Sequence, residues 1–229
     1  MNTIQSHILK HQVLFSRHPF FKVIEDQDSL EPLAKFAPEL TFWVMVFQDI
    51  LRINESKVVD PDLRKIAKHH RIEDSGHEKW FLEDLNALAI GKPPRMSDIP
   101  SLFSPRHTAT RDAAYALMSE VFRAENDTLR IVLLLALESS AHTFFVRVSN
   151  LVERTGNTSN LKYFSKTHLD AEESHAAFEE EMANKILSLT VNPEVRQQAA
   201  ALVDRVYAAF SAMFDGWRNS GTGVPEKLD

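Results

Sequence analysis

Cysteine is absent from the chain, which removes disulfides, zinc–thiolate sites, iron–sulfur clusters and thiol nucleophiles. Turn formers are scarce: six glycines and ten prolines among 229 residues leave little room for the frequent reversals of an all-β fold. Long hydrophobic runs are lacking as well. The most apolar stretch, Ile131 to Leu137, is seven residues long, well short of a membrane span. Met1 to Lys10 carries no apolar segment of the kind a signal peptide needs. Basic charge is not in excess, and a net charge of −6 argues against a nucleic-acid partner, which selects a basic face. The expectation is one cytoplasmic domain spanning 1–229, with neither membrane nor nucleic acid as partner.

What the chain does have is helix punctuation. Asp28-Ser-Leu-Glu31 before Pro32 reads as a capping box that opens an apolar helix to about Ile53. Asp60-Pro61-Asp62 starts a second helix reaching about Ile90, before Gly91-Lys-Pro-Pro. Residues 92–107, rich in proline and serine, predict a surface loop. Helices follow over 108–125 and 127–154, the second apolar on nearly every side, as a central buried helix would be. Gly156 ends it, Thr158-Ser-Asn160 opens the next, to about Leu187, and Asn192-Pro193-Glu194 begins a last helix ending near Gly216. With one or two short helices at the N-terminus, the reading is an all-α bundle.

Several of these helices carry ionisable residues in patterns that a solvated face does not explain. His168, Glu172 and His175, in SKTHLDAEESHAAFEEE, stand at i, i+4 and i+7, within about 60° of arc on one helix face. Two imidazoles and a carboxylate at one spot suit non-haem iron or another first-row metal. His70, Asp74 and His77, in KHHRIEDSGHEKWFLEDL, repeat the spacing. His77 is the stronger candidate there, and His70 is either a ligand or a solvent-facing residue. Glu138 interrupts the apolar run LLLALESSAHTFF; a carboxylate so placed is costly unless it is paired or holds a metal. His142, four residues on, is a candidate either to donate a hydrogen bond to a metal ligand or to serve as an extra ligand. Glu39, in KFAPELTFWVMVF, precedes another apolar run, with Asp49 as its competitor on the same helix. Glu39 stands 35 residues before Asp74 and Glu138 stands 34 before Glu172, so the chain reads as two halves, each a buried acid followed by acid-x-x-His. A carboxylate-bridged two-metal bundle uses such a set.

These residues resemble the haem-oxygenase-like di-iron oxidase and oxygenase superfamily, in motif order and spacing over roughly residues 30–180. The resemblance implies an all-α bundle of about seven helices. It also implies a metal set of Glu39, Asp74, His77, Glu138, His168, Glu172 and His175. The family more often has Asp where Glu172 stands and Glu where Asp74 stands, and His70 has no firm counterpart. By this resemblance the protein would bind two Fe(II) per chain and use O2 as co-substrate. Its substrate would be a small amino acid, amine or fatty acid, oxidised by N-oxygenation, decarboxylation, C–C cleavage or rearrangement. A homodimer and an external electron donor belong to the same expectation. Phe42, Trp43, Phe144, Phe145 and Phe164 would shield the centre from water or simply pack the core, and Arg147 is a candidate for a substrate carboxylate. Two relatives of that fold fit less well. The thiaminase-like branch needs a cysteine, and haem oxygenase needs a glycine-rich distal helix besides a proximal histidine, for which His18 is the candidate. The alternative class is a ferritin-like iron-storage or metal-sensing bundle without organic turnover.

Overall fold

A computed structural model describes residues 3–88, 103–156, 160–174 and 192–221, leaving out the side chains of 3, 172–174 and 220–221. Two helices open the chain: α1 (Thr3–Phe15) and α2 (Pro19–Glu25), the latter with His18 Nδ1 accepting the Phe20 N–H at 3.2 Å. The expected helix from Pro32 to Ile53 is divided. α3 (Glu31–Phe36) gives way to a 3₁₀ turn over Ala37–Leu40, and α4 (Thr41–Lys57) follows. Pro38 lacks the N–H that a continuous α-helix would use there. The expected capping box is replaced by a lone contact in which Ser29 Oγ accepts the Glu31 N–H at 3.4 Å.

α5 (Pro61–Glu73) begins as its sequence indicates: Asp60 Oδ1 accepts the N–H groups of Asp62 and Leu63, both at 2.9 Å. The expected continuation to Ile90 breaks at Asp74–Gly76, and α6 (His77–Ala87) starts afresh. Gly76 has φ +105°, a left-handed conformation that an L side chain adopts only at a cost. Of the loop expected over 92–107, the described part ends in a 3₁₀ turn, Pro105–His107, leading into α7 (Thr108–Arg123). α8 (Asp127–Arg154) matches its expected limits, with Asn126 Oδ1 accepting the Leu129 N–H. α9 (Lys166–Ser174) starts later than Thr158–Asn160 suggests, and α10 runs Pro193–Gly221. No strand occurs among the described residues.

α8 is the axis of the bundle. Its apolarity and length would suit a membrane crossing, but 67% of its most apolar window is buried inside the fold. α10 packs along α7, α8 and α1, α4 lies on α7 and α5, and α9 rests on α8. Where α10 meets the start of α7, a Cβ on Gly216 would fall 2.2 Å from the Ala109 side chain, so only glycine permits that approach. An aromatic cluster of Phe15, Phe20, Phe36, Phe144, Phe214 and Trp217 fills one end of the core. The other end, between α4, α5, α6, α8 and α9, holds polar side chains.

Candidate metal centre

His70 leaves the last turn of α5 and is 2% exposed. Its Nε2 lies 2.5 Å from Glu138 Oε1 on α8 and 2.9 Å from Asp74 Oδ2 at the end of α5. One nitrogen carries at most one hydrogen. With that hydrogen directed at Glu138, Asp74 Oδ2 is buried without a hydrogen bond. Burial works against a charge on His70, yet the carboxylates of Glu138 and Asp74 outweigh it and raise its pKa well above the ordinary value. Burial likewise resists ionisation of Asp74, but His70 holds its carboxyl well below the usual range. Two buried acids thus converge on one imidazole nitrogen. Ligand atoms of His70, Asp74 and Glu138 lie within 4.8 Å of one another, a donor set that a divalent cation fits.

Two further imidazoles stand beside this trio. His77, the first residue of α6, has Nδ1 3.4 Å from Asp74 Oδ1 and stacks on Trp80 at 4.7 Å. His168 meets His77 with ring centroids 4.4 Å apart and packs on Phe145 at 4.0 Å. The Nδ1 of His168 lies 2.9 Å from the Tyr163 carbonyl, which requires the proton on Nδ1 and leaves Nε2 as the basic nitrogen, the usual arrangement of a metal-binding histidine. Trp43, Phe47, Gln48, Phe145 and Tyr163 close a cavity of about 40 Å³ over Asp74, His77, Glu138 and His168. On its outer side His77 also lines a wider cleft of about 460 Å³ with Gly76, Trp80, Glu83 and Ala171.

Two residues that position this centre were missed by sequence reasoning. Asp84, fully buried on α6, accepts the N–H groups of Lys162 at 2.7 Å and Phe164 at 2.9 Å. It thereby fixes the loop whose Tyr163 carbonyl orients His168. Burial raises the Asp84 pKa, and these hydrogen bonds oppose the shift. Gln48 Nε2 donates to the Asp74 carbonyl at 2.8 Å and ties α4 to the break before Gly76. The signal for Asp84 was its place two turns after His77, on the same helix face.

Other expected positions lie elsewhere. Glu39 is buried on the 3₁₀ turn, paired with Arg106 and 3.0 Å from His107 Nδ1, beside a separate cavity lined by Phe20, Phe36 and Trp217. Asp49 is 55% exposed and pairs with Arg52 at 2.8 Å. Neither lines the cavity that holds Asp74 and Glu138, because α4 turns Trp43, Phe47 and Gln48 toward it instead. His142 is exposed, since α8 presents Glu138, Ala141 and Phe145 to the centre. Arg147 pairs with Glu25. His18 faces Asp215 at 3.7 Å, and burial lowers its pKa. Of the aromatics, Trp43 and Phe145 border the cavity, whereas Phe42, Phe144 and Phe164 pack on Tyr115, Trp217 and Phe81. The side chain of Glu172, and His175 altogether, fall outside the described residues.

No protein-family model and no curated protein matches the chain. A solved structure does. The chain is similar to the crystal structure of a domain of unknown function with a haem oxygenase-like fold from Shewanella denitrificans OS217. The TM-score is 0.67 at 16% identity, covering 98% of this chain and 96% of that one. The protein thus has a haem oxygenase-like fold. Within that class, it holds a buried His/Asp/Glu group able to bind a metal.

Proposed function

We propose that the protein is a non-haem di-iron oxidase or oxygenase that uses O2 to oxidise a small amine, amino acid or fatty acid. The observation that supports this most is the convergence of Asp74 and Glu138 on one His70 nitrogen, with Asp74 Oδ2 lacking a hydrogen bond. His70, Asp74, His77, Glu138 and His168 would hold the metal. Bound there, Fe(II) supplies electrons and Lewis acidity for the reduction of O2.

The chain's own residues do the rest. Asp74 and Glu138 provide the anionic donors, and the Tyr163 carbonyl keeps the basic nitrogen of His168 available. Trp43, Phe47 and Phe145 exclude bulk water from the inner cavity. That cavity, about 40 Å³, takes only a few water-sized molecules. An organic substrate would therefore approach from the outer cleft, past His77 and Trp80. An external donor is needed wherever the substrate yields fewer electrons than O2 consumes.

The test is anaerobic Fe(II) loading of the full chain, followed by O2 uptake with a panel of amines, amino acids and fatty acids. Up to two irons per chain are expected, with O2 uptake accelerated by the right substrate class. Iron content no higher than in a His77→Ala/His168→Ala variant would end the proposal. Substrate-independent accumulation of ferric mineral would indicate a ferritin-like storage role instead.

A further inference from the structure

A second group of metal-binding side chains lies on the surface, where α1 meets α10. His7 and His11 stand at i and i+4 on α1, one above the other. Their Nε2 atoms converge on one oxygen, Oδ1 of Asp204, at 2.6 and 2.8 Å. The rings lie 4.7 Å apart at 63°, and the ligand atoms of all three residues fall within 4.8 Å of one another. His11 is held in place from behind. It stacks on Tyr207 at 5.3 Å, and the Tyr207 hydroxyl donates to Ser139 Oγ on α8 at 2.8 Å.

An ion pair alone explains this arrangement poorly. Both imidazoles are aimed at one oxygen of a single carboxylate, with their rings in edge contact with each other. A divalent ion at the point of convergence uses both imidazole lone pairs and the carboxylate together. Zinc–nitrogen bonds of about 2.0 Å in a tetrahedral site separate ligand atoms by about 3.3 Å. Small side-chain rotations reach that spacing from the observed contacts. The side chains are 27, 23 and 52% exposed, so remaining coordination positions face water.

We infer that His7, His11 and Asp204 form a second divalent-metal site, of the Zn(II), Ni(II) or Cu(II) class. It clamps the N-terminal helix to α10 and is independent of the buried centre. None of its residues takes part in the proposed oxidation, so the two ideas stand or fall separately.

The test titrates Zn(II) into the metal-free full chain, into His11→Gln and Asp204→Asn, and into His77→Ala as a control with an impaired buried centre. Both surface variants should bind one zinc fewer than wild type and lose part of the zinc-induced rise in melting temperature. His77→Ala should retain the surface equivalent. Identical stoichiometry and affinity in wild type and both surface variants would overturn the inference. Anomalous scattering at the zinc edge from wild-type crystals requires no variant. A peak between the three residues supports the site, and zinc at the buried centre without one here refutes it.

Discussion

His70 and Glu138, 68 residues apart in the chain, meet at 2.5 Å in the interior where α5 crosses α8. This contact decides what the buried acid on the central helix does without a metal. It is matched by an imidazole rather than by an arginine, and it shares that imidazole with Asp74.

Removing the shared partner should be costly. His70→Ala leaves Asp74 and Glu138 as neighbouring buried carboxylates without a counter-charge. Loss of one partner from such a set destabilises by about 3 kcal/mol or more. Denaturant unfolding of the metal-free protein at pH 7 should show that loss, reduced at pH 5, where a carboxyl can take up a proton. A variant as stable as wild type at pH 7 would mean that the trio is not a charged cluster.

Proton linkage follows from the same contact. The raised pKa of His70 means its ion-paired form contributes fully below about pH 6.5, the unfolded value. That contribution is lost as pH rises through the folded pKa. The lowered pKa of Asp74 acts in the other direction: its contribution is present above about pH 4 and is lost as pH falls through the folded pKa. The metal-free protein should therefore melt highest between about pH 4 and 6.5. Metal binding must displace the His70 proton, so calorimetric heats near pH 7 should vary with the protonation enthalpy of the buffer. Buffer-independent heats would show that His70 remains charged beside the metal.

Asp84→Asn should act on His168 at a distance. An amide oxygen can accept one of the two loop N–H groups, but its NH2 faces the other. Leaving a buried donor unpaired costs about 1–3 kcal/mol. Fe(II) affinity should fall about 10- to 100-fold, as for other partners that orient metal ligands. Hydrogen exchange over residues 161–165 should quicken. Unchanged exchange with intact affinity would remove Asp84 from this role.

Gly76→Ala and Gly156→Ala form a matched pair. Both glycines have positive φ, +105° and +71°, and open space where a Cβ would stand. Each substitution should cost about 1–2 kcal/mol in conformational strain. Only Gly76→Ala should also weaken metal binding, because relief of that strain turns His77 away from Asp74. Equal metal affinities in the two variants would separate the Gly76 turn from the site.

Glu39 and Asp49 provide the opposite contrast. Asp49→Ala, at an exposed pair with Arg52, should change stability by less than about 0.5 kcal/mol and leave iron binding intact. Glu39→Gln should destabilise the fold by weakening its contacts to Arg106 and His107, again without loss of iron. Iron loss on Glu39→Gln would restore it to the metal set.

The sequence was informative where local chemistry decides. Asp60-Pro61 and Asn192-Pro193 announced their helices because a cap needs only its own next three residues, as the Asn192 Oδ1 contact with the Val195 N–H illustrates. Glu138 stood out because a charge amid leucines needs an explanation. Glu39 stood out for the same reason and led elsewhere, since Arg106, its partner, lies 67 residues away across a tertiary contact that no spacing rule reveals. His70 looked peripheral for want of its distant partner. Asp84 offered only its place on the His77 face of α6, because its role lies in backbone N–H groups of a loop that reads as ordinary sequence.

The break at Gly76 divides the centre into two bodies. His70, Asp74 and Glu138 belong to the crossing of α5 and α8. His77 rides on α6, and through Asp84 the same helix also contacts the loop that sets His168. A rotation of α6 about Gly76 would therefore move His77 relative to the acids, while His168 keeps its packing on Phe145 of α8. The spacing between His77 and the acids would then behave as a hinge coordinate, adjustable by whatever occupies the cleft beside Trp80.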